Sequence, residues 1–301
     1  NPAGGYSSLS RTDSDNSYTV TLSSALGRTN TYLVENLSTG DTRRVDTNPD
    51  GTKTTTVIAT NGTRTITSSD SMVTTITEGP DPRFGMQSPL ISNMKITTPG
   101  GKVYSLSEGR AATLADTTNP LTLTTLTDTV SVNGRTYTSA YDAATKTITA
   151  TTPAGRQAIT TLDNQGRVAQ TKLSGLDPVS YTYDTQGRLT AVTQGVRQYS
   201  FNYDALNQLN SITDPLSRSV GFTYDLAGRV TQQTLPDSNA IAYAFDANSN
   251  VTSLTSPGKP AHGFTYTPTD LLQNYLPPSI GAGSTSTTYG YNLDKQIDQT
   301  T

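Results

Sequence analysis

Cysteine and tryptophan are absent from this chain of 301 residues, and there is one histidine, His262. Without cysteine there is no disulfide staple and no thiolate metal site. With one histidine, a Ser-His-Asp arrangement has one place to form. His262 lies between two turns, in Pro260-Ala261-His262-Gly263-Phe264, where a surface or turn role explains it. Charge is sparse: charged residues make up 15%, the net charge is -3, and no basic stripe is present. Nucleic-acid binding therefore has little support. No apolar run approaches the roughly 18 residues of a membrane-spanning helix. No leader is visible at Asn1, and the sequence starts and stops within strand-like patterns, so it is expected to be a fragment of a longer protein.

Aliphatic residues are also scarce. Hydrophobic residues total 32%, with 16 Tyr and 5 Phe, and threonine is abundant. That composition suits a single-layer sheet with a thin core better than a two-layer globule. The one hint of a helix is Ser107 to Ala115.

What the chain has is a repeating phrase. Tyr183-Asp184-Thr185-Gln186-Gly187-Arg188-Leu189 returns as Tyr203-Asp204-Ala205-Leu206-Asn207-Gln208-Leu209 and as Tyr224-Asp225-Leu226-Ala227-Gly228-Arg229-Val230. A looser copy is Phe245-Asp246-Ala247-Asn248-Ser249-Asn250-Val251. The beat reaches back through Leu162-Asp163 to Tyr141-Asp142. It runs forward through Tyr266 to Tyr291, with a longer last step assigned to a loop around Ile280-Gly281-Ala282-Gly283. A fixed period of this size indicates stacked copies of one small unit.

Each unit reads as a β-hairpin. An aromatic pair at i, i+2, such as Tyr181/Tyr183, Phe201/Tyr203 or Tyr243/Phe245, places both rings on one face of a strand. Stacked copies are expected to form two aromatic ladders. The Asp that follows begins a turn by accepting backbone N–H groups ahead of it. Gly or Asn three residues later (Gly166, Gly187, Asn207, Gly228) suits a left-handed backbone. Arg167, Arg188 and Arg229 then pair with an Asp of their own or the adjacent unit. A second turn, as in Thr213-Asp214-Pro215, ends the return strand. The fold class expected is all-β: tandem hairpins in one long antiparallel sheet of about 28 strands, curled into a spiral or shell.

The expected organisation has four parts. Residues 1–77 are a divergent β-repeat region with turns such as Asn61-Gly62. Residues 78–100 are a Pro-rich connecting loop or seam carrying Pro80, Pro82, Pro89 and Pro99. Residues 101–140 are further divergent repeats with a hairpin signal at Asn133-Gly134. Residues 141–301 are the array of about 21-residue hairpins.

These phrases resemble the RHS/YD-repeat family, whose members carry tandem copies of Tyr-Asp-x-x-Gly-Arg-Leu. The match is close at Leu162 to Val168, Tyr183 to Leu189, Tyr203 to Leu209 and Tyr224 to Val230, and looser at Phe245 and Tyr291. Glu78-Gly79-Pro80-Asp81-Pro82-Arg83-Phe84-Gly85-Met86 resembles a connecting segment of large bacterial members. The resemblance implies a hairpin spiral wound into a hollow shell, secreted or at the bacterial cell surface, that encloses a toxic C-terminal domain. A related shell belongs to the animal teneurins, which are adhesion molecules. This chain shows neither the self-cleavage segment nor the downstream toxin of the toxin-type members.

The function expected is therefore a non-enzymatic structural shell segment that encapsulates or presents a cargo domain. The alternative is a surface adhesin or filament module, binding carbohydrate or a protein partner, or associating end to end. The residues that carry the repeat are Tyr183, Asp184, Gly187, Arg188, Tyr203, Asp204, Tyr224, Asp225, Gly228, Arg229, Phe245, Asp246, Tyr266 and Tyr291. No catalytic, metal or cofactor site is expected. The repeat aspartates are explained by their turns without Ca²⁺, and no carboxylate pair singles itself out for glycoside hydrolysis. The partners expected are the rest of the parent polypeptide and an enclosed cargo domain, with no nucleic acid and no membrane insertion.

Overall fold

The computed structural model describes residues 5–279 and 285–301. The loop expected around Ile280-Gly281-Ala282-Gly283 lies outside the described residues. Among the described residues twenty-six strands run from Ser7–Ser14 to Ile297–Thr300, and they belong to one antiparallel sheet. The described residues contain no helix long and apolar enough to cross a membrane. The chain divides into two compact units. One holds residues 8–23 and 27–179; the other holds the described residues of 180–301 together with 5–7 and 24–26.

In the first unit, strands are long and hairpins tight. Leu123–Val132 and Arg135–Asp142 are joined through Asn133 (φ 49°) and Gly134 (φ 77°), with Val132 opposite Arg135. Two consecutive positive φ values match the right-handed twist of the flanking strands, which is why Asn-Gly sits there. Long strands such as Gly85–Thr97 consume more residues each, so there are fewer strands than the period alone suggests.

Two expectations change here. The Pro-rich segment 78–100 is strand over most of its length, within Val73–Asp81 and Gly85–Thr97. Pro80 and Pro89 fall at register shifts, between Gly79↔Leu90 and Asp81↔Gly85 and beside Leu90, where the ladder needs no donor from them. Ser107 to Ala115 is not helical either. All but its last residue lies in Val103–Leu114, a strand held on both sides by long neighbours, with Leu106 opposite both Met94 and Val132. Cross-strand pairing overrides the weak local preference.

In the second unit the period becomes structure. Tyr203 opposes Leu209, Tyr224 Val230, Phe245 Val251, Tyr266 Leu272 and Tyr291 Ile297, and each pair is followed by a one-residue register shift. A β-bulge at the same place in these five copies increases the local twist of each hairpin. The core is thin: among the described residues only Ala191 (8%) is a buried hydrophobic and only Asp81 (2%) a buried polar residue. The rings of successive copies do not form continuous ladders, because copies are two strands, or about 9.6 Å, apart, beyond ring-contact range. Each first-row ring faces its own return strand instead, as Phe201 faces Ile212 and Tyr243 faces Leu254.

Candidate functional site: the repeat turn

The turn of each copy is built on one carboxylate. Asp184 Oδ1 accepts the backbone N–H groups of Gln186 and Arg188, both at 2.9 Å, and its Oδ2 accepts Arg188 Nε at 2.7 Å. Asp225 repeats this with Ala227 (2.9 Å), Arg229 (3.0 Å) and Arg229 Nε (2.7 Å). Asp163 repeats it with Gln165, Arg167 and Arg167 Nε. Asp204 makes the backbone contacts to Leu206 and Gln208, and Asp246 those to Asn248 and Asn250, with Asn250 Nδ2 in the place of arginine at 3.0 Å. The residue before the arginine position is left-handed in each copy: Gly187 φ 85°, Asn207 67°, Gly228 78° and Ser249 71°.

The arginines reach forward to the next hairpin. Arg188 Nη1 donates to Asn207 Oδ1 at 2.8 Å, and its guanidinium lies 4.4 Å above the Tyr203 ring. Arg229 Nη1 donates to the Asp246 carbonyl (2.8 Å) and Ser249 Oγ (3.2 Å), over the Phe245 ring at 4.8 Å. The tyrosines reach backward. The hydroxyls of Tyr203, Tyr224, Tyr266 and Tyr291 donate to the carbonyls of Leu189, Leu209, Val251 and Leu272, at 2.7–2.9 Å. The Leu209, Val251 and Leu272 carbonyls belong to residues beside the bulges, where the ladder is interrupted, so the hydroxyl satisfies a group the sheet leaves over. Tyr183 ends its strand, Val179–Tyr183, at the equivalent position.

The turn lowers the carboxyl value of Asp163, Asp184 and Asp225. The Arg188 amide, and then its guanidinium, hold the Asp184 carboxyl below the usual carboxylate value against partial burial. The Arg229 amide and side chain do the same for Asp225. Burial pushes Asp163 up, but the Arg167 amide and guanidinium outweigh it.

A related turn escaped the sequence reading. Asp214 Oδ1 accepts Leu216 and Arg218 N–H groups, and its Oδ2 accepts Arg218 Nε at 2.7 Å. The Asp-x-x-x-Arg spacing was visible there; Pro215 drew attention to a simple turn instead.

The other missed feature is Asp81. Its Oδ1 accepts the N–H groups of Arg83 (2.7 Å) and Phe84 (3.1 Å), and its Oδ2 accepts Arg110 Nη1 at 3.0 Å. Arg110 also grips Asp128 with Nε at 2.5 Å and Nη2 at 3.1 Å. Burial pushes the Asp81 carboxyl up, yet the Arg83 amide and Arg110 hold it below the usual range. The two carboxylates, Asp128 first, raise Arg110. Asp81, Arg110 and Asp128 thus tie together the strands Val73–Asp81, Val103–Leu114 and Leu123–Val132.

His262 lies in the strand Ala261–Tyr266 rather than in a turn. Its Nδ1 is 2.8 Å from the Tyr275 hydroxyl, and Tyr275 stacks against both His262 and Phe264. Among the described residues no group of three or more His, Asp and Glu converges as a metal would need. In the second unit a further contact spans most of the sequence: Asp294 Oδ2 accepts the Ser24 hydroxyl at 2.7 Å.

A sheet of hairpins, in which turn side chains such as Arg188 and Arg229 clamp one copy to the next, defines a repeat-built structural wall. Residues 1–299 match the Teneurin YD-shell family, and the chain belongs to it. Its role is that of a shell segment. No curated protein matches the chain. Solved structures similar to it include TcdB2-TccC3-Cdc42, at 11% identity and TM-score 0.45 over 91% of this chain and 20% of that one. The Photorhabdus luminescens Tc holotoxin pore is another, at 11% identity and TM-score 0.44 over 95% and 21%. The chain thus spans about a fifth of the length of those chains.

Proposed function

We propose that this chain is a non-enzymatic stretch of the wall of a secreted bacterial YD-repeat protein, and that the wall encloses or presents a separate cargo domain of the same parent polypeptide. The mechanism is steric: the sheet keeps its contents from solvent and from the producing cell. The observation that carries this reading is the use of the repeat side chains. Asp184 and Arg188 are spent on their own turn and on Tyr203 and Asn207 of the next, which supports a load-carrying role over a reactive one.

Limited proteolysis of the full-length parent polypeptide tests it. A domain beyond this segment is expected to resist protease while the wall is folded and to be cut when expressed alone. Equal cleavage in both settings contradicts enclosure. Assembly that grows with concentration into filaments would favour the surface-fibre alternative.

A further inference from the structure

Away from the turns, one face of the first unit carries a trough. Asp128, Ser139, Ala150, Ala158 and Leu173 oppose one another directly across four successive strand pairings, from Leu123–Val132 to Val168–Leu173. Directly opposed residues share a face of the sheet. Three small side chains in mid-row, with longer ones at each end, leave a depression of about 600 Å³. Its rim is apolar and wet: Tyr137 is 43% exposed, Leu173 48% and Leu176 57%. Three of the chain's exposed large hydrophobics therefore gather at one concavity.

The charges of the trough are unequal. Asp128 is committed to Arg110 through two hydrogen bonds. Arg156 ends the turn Thr152–Arg156, which is closed by the Thr152 N–H donating to the Arg156 carbonyl at 2.9 Å. Arg156 is among the residues that line the same trough, and it makes no ion pair with the described residues. The uncommitted charge is thus positive, beside an apolar floor and an aromatic rim.

We propose that this trough binds a small amphipathic anion: an apolar, preferably aromatic body of one or two rings carrying a single carboxylate or sulfonate. The volume lies within the usual range for small-molecule sites, which are mostly apolar with a few placed polar groups. The planar guanidinium of Arg156 suits a bidentate oxyanion. The Tyr137 ring and the Leu173 and Leu176 side chains cover the body of the ligand.

The test is a pair of fluorescent probes on the folded chain. Anilinonaphthalenesulfonate carries the charge; phenylnaphthylamine is its uncharged analogue. The sulfonate is expected to bind at a single site, and Arg156→Gln to weaken it at least about fivefold, while changing the neutral probe less than about twofold. Ala150→Phe fills the floor and is expected to abolish binding of both. Leu176→Glu, on the exposed rim, is expected to weaken the sulfonate more than the neutral probe, and it decides the matter if Ala150→Phe does not fold. Sulfonate binding unchanged by Arg156→Gln, unchanged by a folded Ala150→Phe or, where that variant does not fold, unchanged by Leu176→Glu overturns the proposal.

Discussion

The guanidinium of Arg188 lies 4.4 Å above the ring of Tyr203, in the neighbouring hairpin, while its Nε holds Asp184 of its own turn at 2.7 Å. One side chain thereby joins the turn that made it to the copy that follows. Lying over a ring while donating from two nitrogens to two different partners depends on the planar fork. Arg188→Ala is expected to speed amide exchange in the turns at residues 184–188 and 204–208 together, and Arg188→Lys to restore little of the protection. Exchange confined to the first turn would show that the forward contact carries no energy. Local exchange is the suitable readout because stacked repeats need not unfold in one step.

The backward contact is tested by Tyr203→Phe. It removes the hydroxyl that donates to the Leu189 carbonyl at 2.9 Å and leaves the ring in place. Loss of one such hydrogen bond costs about 1 kcal/mol. Chemical denaturation should show the mutant's midpoint lowered, with Tyr224→Phe behaving alike. No change in either variant would mean that water replaces the hydroxyl at no cost.

Gly166 separates backbone strain from packing. Its φ is +78°, and a Cβ built there meets nothing within 4 Å. Gly166→Ala is therefore expected to cost about 1 kcal/mol from conformation alone. Replacement by D-alanine through chemical ligation, which favours positive φ, should restore or exceed the original melting temperature.

The repeat hairpins were legible because three residues of one phrase each have a local duty: Asp184 caps the turn, Gly187 takes the left-handed position, and Tyr183 closes the strand. Those duties are read along the chain. Contacts between copies were less legible. The sequence suggested that Tyr203 and Tyr224 stack in ladders, but a repeat of two strands holds the rings apart and lets Arg188 and the Tyr203 hydroxyl span the gap instead. Asp81 and Arg110 lie 29 residues apart and meet only because Gly85–Thr97 runs back along Val73–Asp81. No local pattern announces such a pairing, and the prolines around Asp81 suggested a loop.

The lowered carboxyl values of Asp163, Asp184 and Asp225 fix the sign of the acid response. Their ordinary value is 3.8. A folded value below the unfolded one contributes stability that is complete above the unfolded value and is lost as pH falls through the folded one. Circular dichroism against pH should be flat near neutrality and show unfolding below about pH 4. Arg188→Ala should move that transition to higher pH. A transition between about pH 5 and 7 instead would point to a group other than these aspartates.

Asp81→Ala leaves Arg110 and two backbone N–H groups without their shared acceptor. Breaking a buried pair costs about 3–5 kcal/mol in a deep core; in a single-layer sheet, with water a few ångströms away, about 2–3 kcal/mol is expected. Thermal unfolding of the purified chain measures it. A loss under about 0.5 kcal/mol, the range of ordinary surface substitutions, would show that the cluster does not hold these strands together.

Cryo-electron microscopy of the full-length parent polypeptide tests the shell account most directly. The account predicts a wall one sheet thick around a lumen, with separate density inside it. A solid two-layer sandwich with no lumen would contradict it.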